Sequence, residues 1–118
     1  LRFDPPLHLF TRFAYEDTRC FGFDIYKGQE VACLLAAANR DPAFVDPPHV
    51  FDPHRKTAAH QSFGAGLHFC VGAPLARLEI SLGLQVLFER CPNLHISQTP
   101  TYANSYHFHG LDALMVQR

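Results

Sequence analysis

The chain has 118 residues, of which 47% are hydrophobic and 18% charged, and its formal net charge is −1. This length is sufficient for one modest domain with a hydrophobic core, and the near-neutral charge gives no support for a nucleic-acid partner. The longest uninterrupted apolar stretch, residues 31–38, is too short to span a bilayer, and no charged and then apolar leader is visible. We therefore expect a cytoplasmic protein with no membrane segment in this chain.

The cysteines and histidines raise two further possibilities, a disulfide framework and a zinc site. The four cysteines are widely spaced, without a Cys-x-x-Cys pair, at Cys20, Cys33, Cys70 and Cys91. This spacing indicates reduced thiols rather than disulfides. Eight histidines make structural zinc a rival interpretation, but the runs at 68–70 and 107–109 lack the usual ligand spacing.

The first third of the chain predicts short strands. Pro5-Pro6 excludes a helix there. Alternating apolar residues predict a strand over 7–15, and a second short strand is predicted over 21–26. A tight turn at 27–29 then leads into residues 30–35, an apolar run typical of a strand that is buried on both faces.

The middle of the chain predicts little regular structure before one long helix. Residues 36–38 predict a helical turn, closed at 39–42 by a polar corner whose side chains are expected to bond the backbone. Prolines and histidines over 43–61 predict an irregular coil. Residues 73–91 predict a helix, since Pro74 suits its first position, and its many apolar residues predict that it is largely buried.

The stretch at 63–72, here called the cysteine loop, carries the chemistry. It reads Phe-Gly-Ala-Gly-Leu-His-Phe-Cys-Val-Gly. Cys70 lies at the mouth of the predicted helix, where partial positive charge and unpaired N–H groups favour an ionised thiol. His68 is a basic donor suited to an anion beside a metal. A lone cysteine is more often a small buried hydrophobe, but glycines allow a large flat group to approach this one: Gly64, Gly66 and Gly72.

The pattern Phe-Gly-x-Gly-x-His-x-Cys-x-Gly resembles the haem-binding signature of the cytochrome P-450 family in its bacterial form. Three other segments are similar to that family: Leu1-Arg2 before Pro5-Pro6, Ala-Asn-Arg-Asp-Pro at 38–42, and Phe-Asp-x-x-Arg at 51–55. The resemblance implies a mainly α fold with small β-sheets (α+β). Residues 1–118 would be its C-terminal haem-binding portion, one incomplete domain with short β regions, a meander coil, the cysteine loop, a long buried helix and a terminal β-hairpin at 105–116.

The resemblance also implies a cofactor, haem b (iron protoporphyrin IX), with the Cys70 thiolate as axial iron ligand. Arg12 and His68 would pair with the haem propionates, although Arg12 alone could be a surface strand arginine. Phe63 would shield the sulfur. The remaining cofactor-binding positions implied are in the loop: Gly64, Gly66, Val71 and Gly72.

Other residues receive weaker roles from the resemblance. Arg2 and Arg55 would form a structural cluster with a glutamate, although Arg55 alone is more often a solvated loop charge. Arg77 is either a surface charge or part of the face where an electron donor docks. Candidate substrate-pocket residues, each equally compatible with plain packing, are His8, Phe10, Tyr106, His107 and Phe108.

The activity implied is that of a haem-thiolate monooxygenase, which hydroxylates C–H bonds of a small hydrophobic substrate with O₂. Electrons would come from NAD(P)H through a ferredoxin or flavoprotein electron donor. No acid–threonine pair on an apolar helix is found in this sequence. The alternative is therefore a truncated, non-catalytic remnant that lacks the distal half and is inactive alone. A small haem-binding or sensing module is a weaker third interpretation.

Overall fold

The computed structural model describes residues 1–56 and 59–118, which gather into two compact units. Unit 1 comprises Leu1–Ser62 with Tyr106–Phe108, and unit 2 comprises Phe63–Ser105 with His109–Arg118. Across the described residues there are eight short strands but only two α-helices, of four and eighteen residues. The small β-sheets are as predicted, whereas helices do not dominate this portion of the fold.

Unit 1 is built on two antiparallel pairs of strands and one turn of helix. Strand β1 (Leu9–Phe13) pairs with β4 (Glu30–Leu34), so that Phe10 lies opposite Cys33 and Arg12 opposite Val31. Strand β1 is shorter than the predicted strand over 7–15, but Leu7 adds an isolated bridge to Phe108. Helix α1 (Leu35–Ala38) follows β4, as predicted.

The second pair in unit 1 is a hairpin of β2 (Thr18–Cys20) and β3 (Phe23–Ile25). Its two connecting residues, Phe21 and Gly22, have positive φ angles of 50° and 85°. Such angles belong to the tight turns whose twist matches that of paired strands. The prediction of one strand over 21–26 is therefore wrong at its start, because Phe21 and Gly22 form the turn and β2 precedes them.

Strand β4 is exposed along its length rather than buried on both faces, so that prediction is wrong for this structure. All five of its residues are exposed, and Leu34 retains 56% of its accessible surface. Among the described residues β4 pairs with β1 in a sheet of two strands, and pairing along an edge does not cover the faces of a strand. An apolar run therefore predicted the strand but not its burial.

The polar corner at 39–42 and the coil after it agree with the sequence. The Asn39 side chain donates to Ser62 Oγ (2.9 Å) and accepts from the Gln61 N–H (2.6 Å). Asp41 accepts from the Ala43 N–H (2.9 Å), and Arg40 donates to the Phe3 carbonyl (2.7 Å). Within the predicted coil, residues 43–56 and 59–61 contain neither helix nor strand, and residues 57–58 lie outside the described residues.

Unit 2 contains helix α2 (Ala73–Arg90) and two further antiparallel pairs. Strand β5 (His95–Ile96) pairs with β8 (Val116–Gln117), and β6 (Thr101–Tyr102) pairs with β7 (Leu111–Ala113). The terminal strands β7 and β8 thus pair with different partners, which corrects the predicted hairpin over 105–116. Between them, the Met115 carbonyl accepts the Ser97 N–H (2.9 Å), which continues the β5–β8 pairing.

Helix α2 has the predicted start and ends one residue before the predicted limit, ahead of Pro92. Pro74 lies in its first turn, where a missing N–H is tolerated. Ala73 is buried at 2% exposure, but Leu75 is 59% exposed and the apolar residues after it are also exposed. The expectation of a largely buried helix is wrong for this structure, because apolar residues surround the helix and the other described elements leave most of that surface uncovered.

Across residues 1–56 and 59–118, neither helix combines the length and the apolar content needed to cross a membrane.

The hairpin turn generates a stability prediction. Phe21 is 96% exposed and holds a φ of 50°, a region that costs most L-residues about 1–2 kcal/mol but that asparagine tolerates. Phe21→Asn should therefore raise the free energy of unfolding of the protein by about 0.5–1 kcal/mol, measured by urea denaturation. Phe21→Leu is the control, since it removes the ring without relieving the backbone. Equal stability of the two variants would contradict the argument.

Candidate functional site

The cysteine loop holds Cys70 through hydrogen bonds on both sides of the residue. The Cys70 N–H donates to the Phe63 carbonyl (2.9 Å), and the Cys70 carbonyl accepts the Ala73 N–H (3.2 Å). The Cys70 side chain is exposed and its thiol is free. The backbone of Cys70 is thus fixed between the start of the loop and the start of α2, while its sulfur faces outward.

Two glycines shape the approach to this cysteine. Gly64 and Gly66 have φ angles of 71° and 63°, which L side chains rarely adopt. Between Gly66 and His68 the chain makes one 3₁₀ turn, closed by the Phe69 N–H donating to the Gly66 carbonyl (3.1 Å). A Cβ on Gly66 would meet open space, so the backbone conformation rather than crowding is what requires glycine there.

Gly72 differs from the other loop glycines. Its φ of −81° is open to any residue, so its backbone conformation does not require glycine. A Cβ on Gly72 would lie 3.8 Å from Cys70 Sγ, which is ordinary van der Waals contact. Gly72 therefore lies beside the thiol and leaves that side of the sulfur open.

The start of α2 favours an anion. Among the described residues, no side chain caps the helix and no acidic residue occupies its first turn. The partial positive charge of this terminus is therefore not offset by a carboxylate. Cys70 lies three residues before this terminus.

The cysteine loop carries several apolar side chains close to Cys70 in sequence. Phe63 is half-buried, and its ring makes an edge contact with Phe69 at 6.3 Å between centroids. The Arg77 guanidinium lies over the same Phe63 ring, 5.2 Å from its centroid. Leu67 and Val71 are almost fully exposed. A free thiol with glycines and exposed apolar side chains around it suits a flat, apolar, metal-bearing group.

Arg12 and His68 belong to different units. Arg12 is exposed on β1. Among the described residues, the one hydrogen bond of its side chain is donated to the Thr11 carbonyl (2.9 Å). Most of its guanidinium donors are thus available to a carboxylate. His68 is exposed at the end of the 3₁₀ turn in the cysteine loop, two residues before Cys70.

The candidate pocket residues lie together in unit 1. The His8 N–H donates to the His107 carbonyl (3.2 Å), and the rings of Phe10 and His107 meet edge to face at 6.1 Å. Tyr106 and Phe108 contact the His107 ring at 6.3 Å and 4.9 Å. The structure therefore brings all five residues into one largely aromatic cluster, although they come from two distant parts of the sequence.

Arg2 and Arg55 are anchored on carbonyl oxygens of the coil. Arg2 donates to the carbonyls of Asn39 (3.0 Å) and Pro48 (3.3 Å), and it lies outside any described helix. Arg55 donates to those of Asp46 (2.7 Å) and Pro47 (3.0 Å). Arg55 is half-buried, so it is not the freely solvated loop charge considered above.

Two further observations concern the charge of Arg2 and the hydrogen bonding of Arg55. Burial, and then the positive charges of Arg55 and Arg40, lower the pKa of Arg2. Among the described residues the buried Nε of Arg55 has no hydrogen-bond partner. A carboxylate at this place would satisfy the orphan donor and offset the crowded positive charge.

Sequence reasoning missed two contacts. Arg40 lies over the Phe3 ring at 4.5 Å, and Arg77 lies over Phe63 at 5.2 Å. Both contacts join residues far apart in sequence, so no periodic pattern reveals them. Within the described part of the chain, no group of three histidine, cysteine or acidic residues is placed to hold a metal ion.

Comparison with known proteins agrees with this geometry. The family model described as Cytochrome P450 matches residues 1–107. The chain is 45% identical over 101 residues to the cytochrome P450 monooxygenase PikC of Streptomyces venezuelae, covering 85% of this chain and 24% of PikC. It is 39% identical over 117 residues to the biotin biosynthesis cytochrome P450 of Bacillus subtilis, covering 98% of this chain and 30% of that protein.

A solved structure gives the same result for the fold. The crystal structure of P450BioI, in complex with an acyl carrier protein ligated to hexadec-9Z-enoic acid, matches with a TM-score of 0.92 at 39% identity. The match covers 98% of this chain and 30% of that one. The chain belongs to the cytochrome P450 family, and it spans less than a third of the length of these relatives.

Membership of this family implies a haem whose iron is bound by a cysteine thiolate. The donor set fits such a group, since Cys70 presents a free, exposed thiol at the uncapped start of a helix. The surroundings fit as well, because Gly72 leaves the sulfur uncrowded and the same loop presents the exposed apolar side chains of Leu67 and Val71.

The glycines of the loop generate a second prediction. Gly66→Ala should lower the free energy of unfolding by about 1 kcal/mol, because alanine is strained at a φ of 63°. Gly72→Ala is the matched control and should leave stability within experimental error, since its φ is ordinary and its Cβ contact is normal. Urea denaturation of both variants measures the difference. A larger loss for Gly72→Ala would contradict it.

Proposed function

We propose that this chain supplies the proximal haem-ligand part of a haem-thiolate monooxygenase. The observation that carries the proposal is the free Cys70 thiol, fixed by its backbone at the uncapped start of α2. The family membership and the names of relatives as monooxygenases and hydroxylases support the same activity. Residues 1–118 then belong to the C-terminal, haem-binding portion of one cytochrome P450 domain.

The cofactor would be haem b, and the Cys70 thiolate would hold its iron. When bound, it supplies oxygen activation and the hydroxylation of C–H bonds, chemistry that thiolate donation to the iron favours. The chain's own contribution would be to hold the sulfur uncrowded at the start of α2. Phe63 would shield the sulfur once the cofactor is bound. The loop residues that would lie against the ring are Gly64, Gly66, Val71 and Gly72.

Arg12 and His68 hold the haem propionates in this proposal. Arg12 spends one donor on the Thr11 carbonyl, which leaves the planar guanidinium able to bond both oxygens of a carboxylate. His68 is exposed in the cysteine loop itself, so it can reach the edge of a group bound at Cys70. Both residues would orient the cofactor rather than take part in its reaction.

The aromatic cluster of unit 1 would line the substrate pocket. His8, Phe10 and His107 are half-buried, while Tyr106 and Phe108 are exposed. Their rings offer a broad apolar surface with a few polar atoms, which suits a small hydrophobic substrate. Electrons would come from NAD(P)H through a ferredoxin or flavoprotein partner.

Arg2 and Arg55 have a structural role in the same proposal. The orphan Nε of Arg55 and the lowered pKa of Arg2 both call for a carboxylate beside them. A glutamate that bonds both arginines would complete the cluster and stabilise the coil on which they are anchored.

The ligand assignment is tested by removing thiols one at a time in the full-length protein. Cys70→Ala should abolish the red-shifted Soret band of the ferrous carbonyl complex, because no other thiol lies at the cysteine loop. Cys91→Ala is the matched control at the far end of the same helix, where the Cys91 N–H donates to the Leu87 carbonyl (2.8 Å), and it should keep the band. Survival of the band in Cys70→Ala would refute the proposal.

The propionate assignment is tested by haem retention. Arg12→Ala and His68→Ala should each weaken retention by about 1.5–3 kcal/mol, the range for a hydrogen bond to a charged group. The two effects should not add if both residues bond one carboxylate. Haem transfer to an acceptor protein gives the rates. Controls are Arg19→Ala, which removes an arginine paired with Asp24 (3.6 Å), and His95→Ala on β5. Loss rates as in the controls would rule the role out.

A further inference from the structure

Arg77 makes a contact that the proposed ligation does not use. It lies in the second turn of α2, and its guanidinium carbon is 5.2 Å from the centroid of the Phe63 ring. A guanidinium over an aromatic face within about 6 Å is attracted by the negative charge of that face. The contact joins the helix to the first residue of the cysteine loop, fourteen positions earlier in the sequence.

Phe63 is the point at which this contact can influence Cys70. Its carbonyl accepts the Cys70 N–H (2.9 Å), so the two backbones are joined directly. The backbone bond does not fix the side chain, however, and the half-buried ring has its edge contact with Phe69 on one side. The Arg77 guanidinium supplies a second contact, and together the two restrict how the ring can turn.

We propose that Arg77 is a positioning residue that holds the Phe63 ring in place and, through Phe63, controls the access of water to the Cys70 sulfur. The inference rests on the proposed function, in which Cys70 binds the haem iron and Phe63 shields it. Arg77 does not touch the sulfur in this account. Its role is to restrict the movement of the Phe63 ring.

The rival role for an exposed arginine on this helix is a charge that helps to dock an electron donor. The two roles respond differently to lysine. Arg77→Lys keeps the positive charge, but it loses the planar group that stacks on the ring. If Arg77 helps to dock an electron donor through its charge, Arg77→Lys should keep most of that function. If Arg77 positions the Phe63 ring, the same substitution should weaken the contact with the ring. Arg90, in the last turn of the same helix, provides matched control substitutions.

The first measurement is the rate at which the ferrous carbonyl complex of the full-length holoenzyme loses its thiolate-type Soret band after mild warming. Arg77→Lys and Arg77→Ala should lose the band roughly two- to fivefold faster than the unsubstituted protein, the size that one exposed cation–π contact supports. Arg90→Lys and Arg90→Ala should behave as the unsubstituted protein. In a Phe63→Leu background, Arg77→Lys should have no further effect.

The second measurement is the midpoint potential of the haem iron, which a merely structural loss of stability would not move. Freed motion of Phe63 admits water to the sulfur, and a hydrogen bond to the thiolate withdraws electron density from it. The potential of Arg77→Lys should therefore rise, while that of Arg90→Lys should not change.

Two results would overturn the inference. One is an Arg77→Lys variant with the band-loss rate and the potential of the unsubstituted protein, which would leave charge as the whole role of Arg77. The other is a higher KM for the electron donor with an unchanged band-loss rate, which would assign Arg77 to docking. If Arg77→Ala fails to accumulate as holoenzyme, Arg77→Lys decides the matter. Survival of the band in Cys70→Ala would instead refute the ligand assignment, whatever Arg77 does.

Discussion

The hydrogen bond from the Cys70 N–H to the Phe63 carbonyl closes the cysteine loop, and the bond from the Ala73 N–H to the Cys70 carbonyl joins that loop to α2. Between these bonds the chain must reverse within a few residues, which requires positive φ at Gly64 and Gly66. The same closure sets the sulfur at a helix terminus with no acidic cap. The position of the thiol at the start of α2 and its backbone link to Phe63 are thus consequences of one backbone constraint.

Local features of the fold could be predicted from the sequence, whereas burial and strand pairing could not. Pro74 and Pro92 mark the first turn and the end of α2 because proline acts on its own backbone. The bond that Asp41 accepts from the Ala43 N–H, two residues further on, is likewise local chemistry. The bonds of Asn39 are not local, since they reach Gln61 and Ser62. The pairing of β7 with β6 and of β8 with β5 depends on contacts across the chain, to which a two-residue strand contributes almost no pattern. Apolar content predicted burial of α2 and β4, but exposure depends on what surrounds an element.

The candidate site also has parts that the sequence could predict and parts that it could not. Cys70 and its glycines lie within ten residues, so the motif contains the whole local arrangement. The aromatic cluster depends on the bridge that seats Phe108 beside Leu7, a contact across a hundred residues that only the resemblance anticipated. The Arg77–Phe63 stack had no sequence signal, because an arginine on an exposed helix face is usually a solvated charge. At Phe21 the sequence predicted an element that the structure does not have there. The predicted strand over 21–26 included Phe21, which instead lies in the turn.

The anchoring of Arg2 and Arg55 has a consequence for the coil they bind. Pro47 and Pro48 have no N–H to donate, so this segment cannot pair its carbonyl oxygens in a ladder of its own. The two guanidinium groups supply those donors instead, at the carbonyls of Asp46, Pro47 and Pro48. The conformation of the segment is therefore held by arginine side chains from outside the segment rather than by its own backbone.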